Sequence, residues 1–179
     1  MTVTKEATRR AINNRIDQTF DELQVGQVFR SGGRTVTETD VVNFCALTGN
    51  WIEIHSNVHY ASKTRFGKRL VQGSLTYSIV TGLIQFGLGI QANYGIDNMR
   101  FRSPVYIGDT IYAVCEVIDK KVKDDNYGVI KFLMKAVNQK GELLQQGEWS
   151  LLMLRKREDL DALVGASLPV VQPEKVKSA

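Results

Sequence analysis

The chain has only two cysteines, Cys45 and Cys115, and they lie far apart in the sequence. Their spacing matches neither a zinc-binding pattern nor a disulfide framework, so we expect two reduced thiols in a protein core. The sequence also lacks any apolar run close to the roughly 20 residues that a membrane-spanning helix requires. These absences argue against structural-metal, redox and membrane-spanning roles.

The first residues lack the apolar segment of a secretory signal. Residues 1–17 mix four basic side chains with acidic ones. This composition does not fit a signal peptide, and a cytoplasmic protein is the expectation.

The formal net charge of +4 comes from dispersed basic residues without aromatic residues between them. Nucleic-acid binding usually needs a basic patch on one face, so this class is disfavoured. A phosphorylated small molecule is compatible with the charge, although the charge does not require one.

A length of 179 residues fits one domain with a sound core. We expect an N-terminal arm at residues 1–20, the domain at 21–156 and a C-terminal tail at 157–179. A first strand with a bend at Gly32-Gly33 should open the domain.

Two short helices are expected next. Thr39 or Asp40 can cap a helix that Gly49 ends. Asn57 can cap a second one, from 58 to about 64, with Tyr60 facing inward.

Residues 73 to about 88 are apolar on nearly all sides, which predicts a buried helix. Beyond Gly95 the period becomes two, first at Met99 and Phe101. After a break at Pro104, alternating apolar residues predict strands at 110–117, 128–137 and 146–154, joined by hairpin loops. One buried helix followed by three strands predicts an α+β domain in which an antiparallel sheet curls around the helix.

The polar segment between the predicted helices holds both histidines of the chain, His55 and His59. Residues 48–61 bring an amide, a carboxylate and an imidazole close together, and Gly73 follows at the start of the buried helix. This combination is typical of a functional site. A solvated loop with a structural histidine is the alternative, and residue types alone leave both open.

The pattern of residues 40–154 resembles the MaoC-like, (R)-specific enoyl-CoA hydratase family of the hotdog fold. That family has a D-x-N-P-x-H motif, then a short helix with an aromatic residue, then V-x-G at the start of the central helix. His55 takes the histidine position, Tyr60-Ala61 and Phe66 follow in step, and Val71-Gln72-Gly73 matches without gaps. Thr81 falls where relatives often carry a serine.

Three residues depart from the motif. Asn50 stands in place of the aspartate, Ile52 in place of the asparagine and Glu53 in place of the proline. The central carboxylate is therefore missing from its usual position.

The resemblance implies reversible addition of water to a 2-enoyl thioester. His55 would serve as acid and base, because an imidazole exchanges protons near neutral pH. The backbone N–H at Gly73 would polarise the thioester carbonyl at the positive end of a helix. Asn50 would position a water molecule, since an amide does not exchange protons near pH 7.

Glu53 is the preferred replacement for the missing carboxylate. In an extended loop, residues two apart project to the same side, so Glu53 and His55 could face one pocket. The alternative is a surface charge on the loop. Metal binding by His55 and His59 is disfavoured because no third ligand pattern follows, and no cofactor is expected.

Further substrate contacts are expected from Trp51, Ser74, Tyr77 and Thr81, although the two aromatic residues could instead fill the core. Four basic residues could bind coenzyme A phosphates or be ordinary solvated charges: Lys68, Arg69, Arg100 and Arg102.

The substrate implied by the resemblance is an acyl thioester of coenzyme A or of an acyl carrier protein. A hotdog thioesterase and a non-catalytic acyl-thioester binding protein are the alternatives, and Asn50 keeps the second one open. The family also implies a homodimer or a dimer of dimers, with the site near the subunit boundary.

Overall fold

The computed structural model describes residues 12–167. The strands are β1 Arg15–Ile16, β2 Val28–Thr35, β3 Gln85–Phe86, β4 Ile90–Phe101, β5 Thr110–Val122, β6 Tyr127–Asn138 and β7 Leu143–Leu154. The helices are α1 Glu38–Thr48, α2 Glu53–Ser56, α3 Val58–Ser62, α4 Gly73–Leu83 and α5 Arg157–Ser167. Five of the strands form one antiparallel sheet in the order β2-β5-β6-β7-β4, and the two short strands, β1 and β3, pair with each other in parallel.

The sheet packs against α4. Side chains alternate between buried and half-buried along β6, as a period of two requires when one face meets the core. Leu75, Thr76, Ile79 and Val80 of α4 are buried against that face. Burial of each such aliphatic side chain contributes about 1.5–3 kcal/mol, so α4 and the sheet stabilise each other. This is the predicted α+β hotdog fold.

The beginning of α1 differs from the prediction. The N-cap is Thr37, whose hydroxyl accepts from the Asp40 N–H, while the Asp40 carboxylate accepts from the Thr37 N–H. The expected cap at Thr39 or Asp40 is wrong, because Asp40 is the third residue of the helix and closes the capping box with Thr37. The expected end at Gly49 is confirmed by its left-handed φ of 70°.

The Asn57 cap is confirmed, since its side chain accepts from the Tyr60 N–H. The inward orientation of Tyr60 is wrong, because Tyr60 is 49% exposed and Ala61 is the buried residue of α3. A five-residue helix buries only a single position here.

The central helix ends at Leu83 and not near residue 88, because residues 85–86 adopt an extended conformation and pair with β1. The long strand β4 was predicted only in part, since alternation was expected beyond Gly95 while the strand begins at Ile90. Its pairing with β7 shifts register at three places, and most of its residues are exposed, so the sequence shows no regular alternation along its whole length.

Both ends of the described chain pack on the domain. Ile16 and Phe20 are buried in the core, so residues 12–20 do not form the expected surface arm, and residues 1–11 lie outside the described part. Residues 157–167 form α5 with Leu160 buried, where a peripheral tail was expected. No helix within residues 12–167 is long and apolar enough to cross a membrane.

Candidate functional site

His55 lies on the single helical turn α2, and one hydrogen bond fixes its ring. The Nδ1 atom is 2.8 Å from the backbone oxygen of Leu70. A carbonyl oxygen only accepts, so Nδ1 carries a proton, and in the neutral ring Nε2 carries the lone pair. The orientation therefore leaves Nε2 as the basic nitrogen of a half-buried imidazole.

The segment before α4 holds the histidine turn in place. The Leu70 N–H donates to the Ile54 oxygen at 3.1 Å. The Arg69 guanidinium donates to the His55 oxygen at 3.5 Å and to the Glu38 carboxylate on α1. The hydrogen bond from Arg69 lowers the pKa of Glu38 below its usual value. These contacts make the ring position depend on residues distant in sequence.

Gly73 opens α4, and the first turn of this helix has no side-chain cap. Gln72 occupies the N-cap position without a side-chain hydrogen bond to the helix. The first N–H groups of a helix have no partner inside the helix, so they remain available to a ligand oxygen. A Cβ at Gly73 would lie 2.5 Å from the Phe101 ring, so a larger residue here would require this exposed ring to move.

His55 and Gly73 line one cavity of about 350 Å³, which we call the histidine cavity. Its deeper wall consists of buried residues: Val71, Thr76, Val105, Leu144 and Gln145. Exposed residues surround its mouth: Arg65, Phe101, Arg102 and Pro104. The cavity therefore has an apolar interior and a positively charged entrance.

The deeper wall has two polar side chains, Thr76 and Gln145. The Thr76 hydroxyl donates to the Gln72 oxygen at 3.2 Å. Gln145 projects from β7 and is only 3% exposed. Its Oε1 atom has no hydrogen-bond partner within residues 12–167. Sequence reasoning missed this residue, because a glutamine in a strand is ordinarily a surface residue.

The extended loop assumed for Glu53 is wrong. Residues 53–56 form a helical turn, in which positions two apart point in nearly opposite directions. Glu53 is exposed and accepts from the Asn57 side chain, and it is not among the residues that line the histidine cavity. The structure thus does not bring this carboxylate to the imidazole.

Asn50 lies just after the C-cap of α1. Its N–H donates to the Thr48 hydroxyl at 3.3 Å, while its buried Oδ1 has no partner among the described residues. Asn50 does not line the histidine cavity.

The four predicted substrate-binding residues also lie outside the cavity lining. Trp51 is 52% exposed and Ser74 is exposed. The Tyr77 ring packs edge-on against Trp149 at 5.6 Å, and burial raises the pKa of its hydroxyl. The Thr81 hydroxyl donates to the Ser78 oxygen at 2.8 Å. Tyr77 thus fills the core, which was the alternative for this residue.

Of the four basic residues considered for phosphate binding, Arg102 lines the cavity. Arg69 is engaged with Glu38, Lys68 lies 4.3 Å from the centre of the Tyr106 ring, and Arg100 donates to the Met99 oxygen at 2.8 Å. Arg65, which sequence reasoning missed, also lines the cavity.

A model of the MaoC like domain matches residues 21–137. Protein MaoC of Klebsiella aerogenes is 39% identical over 106 residues, 58% of this chain and 32% of that protein, so the chain spans about a third of its length. The uncharacterized protein YdeM of Bacillus subtilis is 32% identical over 140 residues, 76% of this chain and 99% of its own. The (R)-specific enoyl-CoA hydratase of Rhodospirillum rubrum is 31% identical over 99 residues, 55% of this chain and 68% of its own.

Solved structures show the same relationship. The monoamine oxidase regulatory protein of Archaeoglobus fulgidus superposes with a TM-score of 0.75 at 35% identity, covering 82% of this chain and 99% of that one. The (R)-hydratase PhaJ1 of Pseudomonas aeruginosa superposes with a TM-score of 0.65 at 26% identity, covering 77% of this chain and 86% of that one. With its central helix wrapped by an antiparallel sheet, this chain belongs to the MaoC-like domain family of hotdog proteins.

Proposed function

We propose that this protein reversibly adds water to a 2-enoyl thioester. The observation that carries the proposal is the histidine cavity, in which a ring-fixed His55 and the uncapped start of α4 at Gly73 line the same space. Hydration needs a base for water, an acid for C2 and a donor for the thioester oxygen. These two elements can supply all three.

In the proposed reaction, Nε2 of His55 removes a proton from water while the water oxygen bonds to C3. The electron pair of the C2=C3 bond moves toward the thioester carbonyl, whose oxygen gains negative charge. The N–H groups at the start of α4 stabilise that charge. The imidazolium then returns the proton to C2, and the product is a 3-hydroxyacyl thioester.

Relatives support the thioester substrate. Besides the hydratase of R. rubrum, a 3-hydroxybutyryl-CoA dehydratase of Methylorubrum extorquens is 32% identical over 103 residues. Another relative, from Arabidopsis thaliana, is a mitochondrial 3-hydroxyacyl-[acyl-carrier-protein] dehydratase that is 31% identical over 122 residues. We propose a thioester of coenzyme A or of an acyl carrier protein for this chain as well.

A non-catalytic acyl-thioester binding protein is the second candidate, and Asn50 favours it. The asparagine occupies the motif position of the aspartate, and within residues 12–167 no carboxylate lines the histidine cavity. The same feature weighs against a thioesterase that would use a carboxylate beside a helix N-terminus.

Incubation with crotonyl-CoA tests these alternatives. Loss of the enoyl absorbance without release of free thiol supports the hydratase. Release of free thiol would identify a thioesterase. Saturable binding without either reaction would identify a binding protein and contradict the proposal.

We also propose a homodimer formed along β4. This strand lies at the edge of the five-stranded sheet, and Tyr94 and Ile96 on it are 49% and 38% exposed. An exposed edge strand offers backbone groups to a second copy. Light scattering should give twice the chain mass, and Ile96→Lys should shift it toward the monomer. A monomeric wild type would contradict this assembly.

A further inference from the structure

The entrance of the histidine cavity holds two arginines without a counter-ion. Arg65 and Arg102 both line the cavity, and neither forms a salt bridge within residues 12–167. Five other arginines of the described chain do so: Arg15, Arg34, Arg69, Arg155 and Arg157. Arg30 and Arg100 also lack a salt bridge within residues 12–167, but only Arg65 and Arg102 line the histidine cavity.

Both arginines are held near the cavity by local contacts. The Arg65 guanidinium lies 4.8 Å from the centre of the Phe66 ring, which itself lines the cavity. The Arg102 N–H donates to the Leu144 oxygen at 2.8 Å, which fixes this end of β4 beside the cavity wall. Cation–π stacking reduces the conformational freedom that the Arg65 side chain loses on binding an anion. The backbone hydrogen bond of Arg102 fixes the position from which its side chain extends.

The carboxylates near the entrance have other partners. Asp109 accepts from the Tyr106 N–H and from the Gln139 side chain. Glu142 accepts from the Asn138 side chain. Glu53 accepts from Asn57 and does not reach the cavity. None of these carboxylates forms a salt bridge with Arg65 or Arg102, so both guanidinium groups are available to an added anion.

We infer that Arg65 and Arg102 bind a carboxylate on the acyl group of the substrate, so that the preferred substrate is a thioester with a second, ionised acid group. Guanidinium groups suit carboxylates through paired N–H donors. This inference rests on the proposed function, because it assigns a substrate class to the same cavity.

A phosphate of the carrier is the other source of negative charge. The pantetheine arm separates the thioester sulfur from its first phosphate by two amide units and further methylene groups. Arg65, Arg102, His55 and Gly73 instead line one cavity of about 350 Å³. An acyl chain that contacts His55 and Gly73 shares this cavity with both arginines, which favours an anionic group on the acyl chain.

The test compares two 2-enoyl groups of the same shape: fumaryl, which ends in a carboxylate, and 4-methyl-2-pentenoyl, which ends in two methyl groups. Each is supplied as the coenzyme A thioester and as the phosphate-free N-acetylcysteamine thioester. We expect kcat/KM to favour fumaryl by roughly tenfold or more with both carriers, since hydrogen bonds to charged groups contribute that much. Arg65→Gln and Arg102→Gln should each reduce this preference by roughly tenfold.

Arg100→Gln is the matched control, because Arg100 is an exposed arginine of β4 outside the cavity lining. Its preference should equal that of the wild type. Equal hydration of the two acyl groups would overturn the inference. So would arginine variants that weaken all coenzyme A thioesters alike and leave the N-acetylcysteamine thioesters unchanged, because the arginines would then bind phosphate.

Calorimetry with saturated thioesters separates this inference from the proposed function. Succinyl and 4-methylpentanoyl N-acetylcysteamine have the same shapes but cannot be hydrated. Tighter, arginine-dependent binding of the succinyl thioester would support the carboxylate site even if hydration failed. Hydration without such a binding preference would support the proposed function and overturn the carboxylate site.

Discussion

Two cavities in this molecule differ in how their charges are satisfied. A cavity of about 440 Å³, which we call the terminal cavity, lies where the N-terminal segment, β3 and α5 meet, and Arg15, Asp17, Arg157 and Asp161 line it. Its arginines are engaged, Arg15 with Asp17 and Arg157 with Glu22.

The histidine cavity is smaller, yet it combines an imidazole with a free basic nitrogen, an uncapped helix start and two arginines without salt bridges in the described chain. Exposed ion pairs add little stability, but they occupy the arginine that a ligand would need, whereas an arginine without a salt bridge can bind an anion. The comparison therefore identifies the site by its available imidazole, helix start and arginines and not by its size.

Replacing His55 should have the largest effect. His55→Ala removes the proposed acid and base, and we expect hydration of crotonyl-CoA to fall by roughly 10²–10⁴-fold. The control is His59→Ala, because His59 is exposed on α3 and its change should leave the rate unaltered. If His55→Ala hydrated crotonyl-CoA at nearly the wild-type rate, the reaction would not depend on His55 and the histidine cavity would not be the active site.

Gly73→Ala should have the next largest effect. The added methyl group would meet the Phe101 ring at 2.5 Å, so this ring, which lines the cavity, would have to move. We expect kcat/KM to fall by roughly 10–100-fold, because small displacements at a reacting centre are costly. Since the clash involves Phe101, the double variant Gly73→Ala/Phe101→Ala should hydrate faster than Gly73→Ala alone. Additive losses in the double variant would argue against this steric account.

The terminal cavity should affect stability and leave catalysis unchanged. The hydrogen bond from Arg157 lowers the pKa of Glu22 from 4.5 to about 2. A carboxyl group with a lowered pKa in the folded state contributes stability above pH 4.5, and this contribution is lost as pH falls from 4.5 to about 2.

Glu22→Gln should therefore lower the urea midpoint slightly at pH 6, and the difference from the wild type should vanish near pH 2. Crotonyl-CoA hydration at neutral pH should be unchanged. A loss of hydration at pH 7 would show that the two cavities are coupled, and the contrast between them would fail.

The smallest effect is expected for Glu53→Gln. Glu53 is exposed, accepts from Asn57 and does not line the histidine cavity. Hydration should stay within about twofold of the wild type, as for most surface changes. Asn50→Asp is the matching variant that restores the motif carboxylate. A large loss of hydration in Glu53→Gln would show that the Glu53 carboxylate takes part in the reaction.

The sequence predicted the parts of the fold that follow from local pattern. The buried helix at Gly73, the strands with regular alternation and the caps at Gly49 and Asn57 need only nearby residues. Only the second half of strand β4 was predicted, because its bulges interrupt the alternation, and its partner β7 lies some fifty residues later in the chain.

The candidate site was predicted in part. His55 and Gly73 occupy recognisable positions of the family motif, and both line one cavity in the structure. Glu53 was misplaced because a short helical turn replaced the expected loop. Arg65, Arg102 and Gln145 reach the cavity only through the turn at Gly67 and the pairing of β4 with β7, which no local pattern reveals.

The central claim is that His55 and the start of α4 contact the same thioester. Titration of ¹⁵N-labelled protein with butyryl-CoA, a saturated thioester that cannot be hydrated, tests it directly by NMR. The account predicts saturable shifts of the Gly73 amide and the His55 ring nitrogens with one common dissociation constant, and no shift at Arg157 in the terminal cavity. Saturable binding that leaves Gly73 and His55 unperturbed would contradict it.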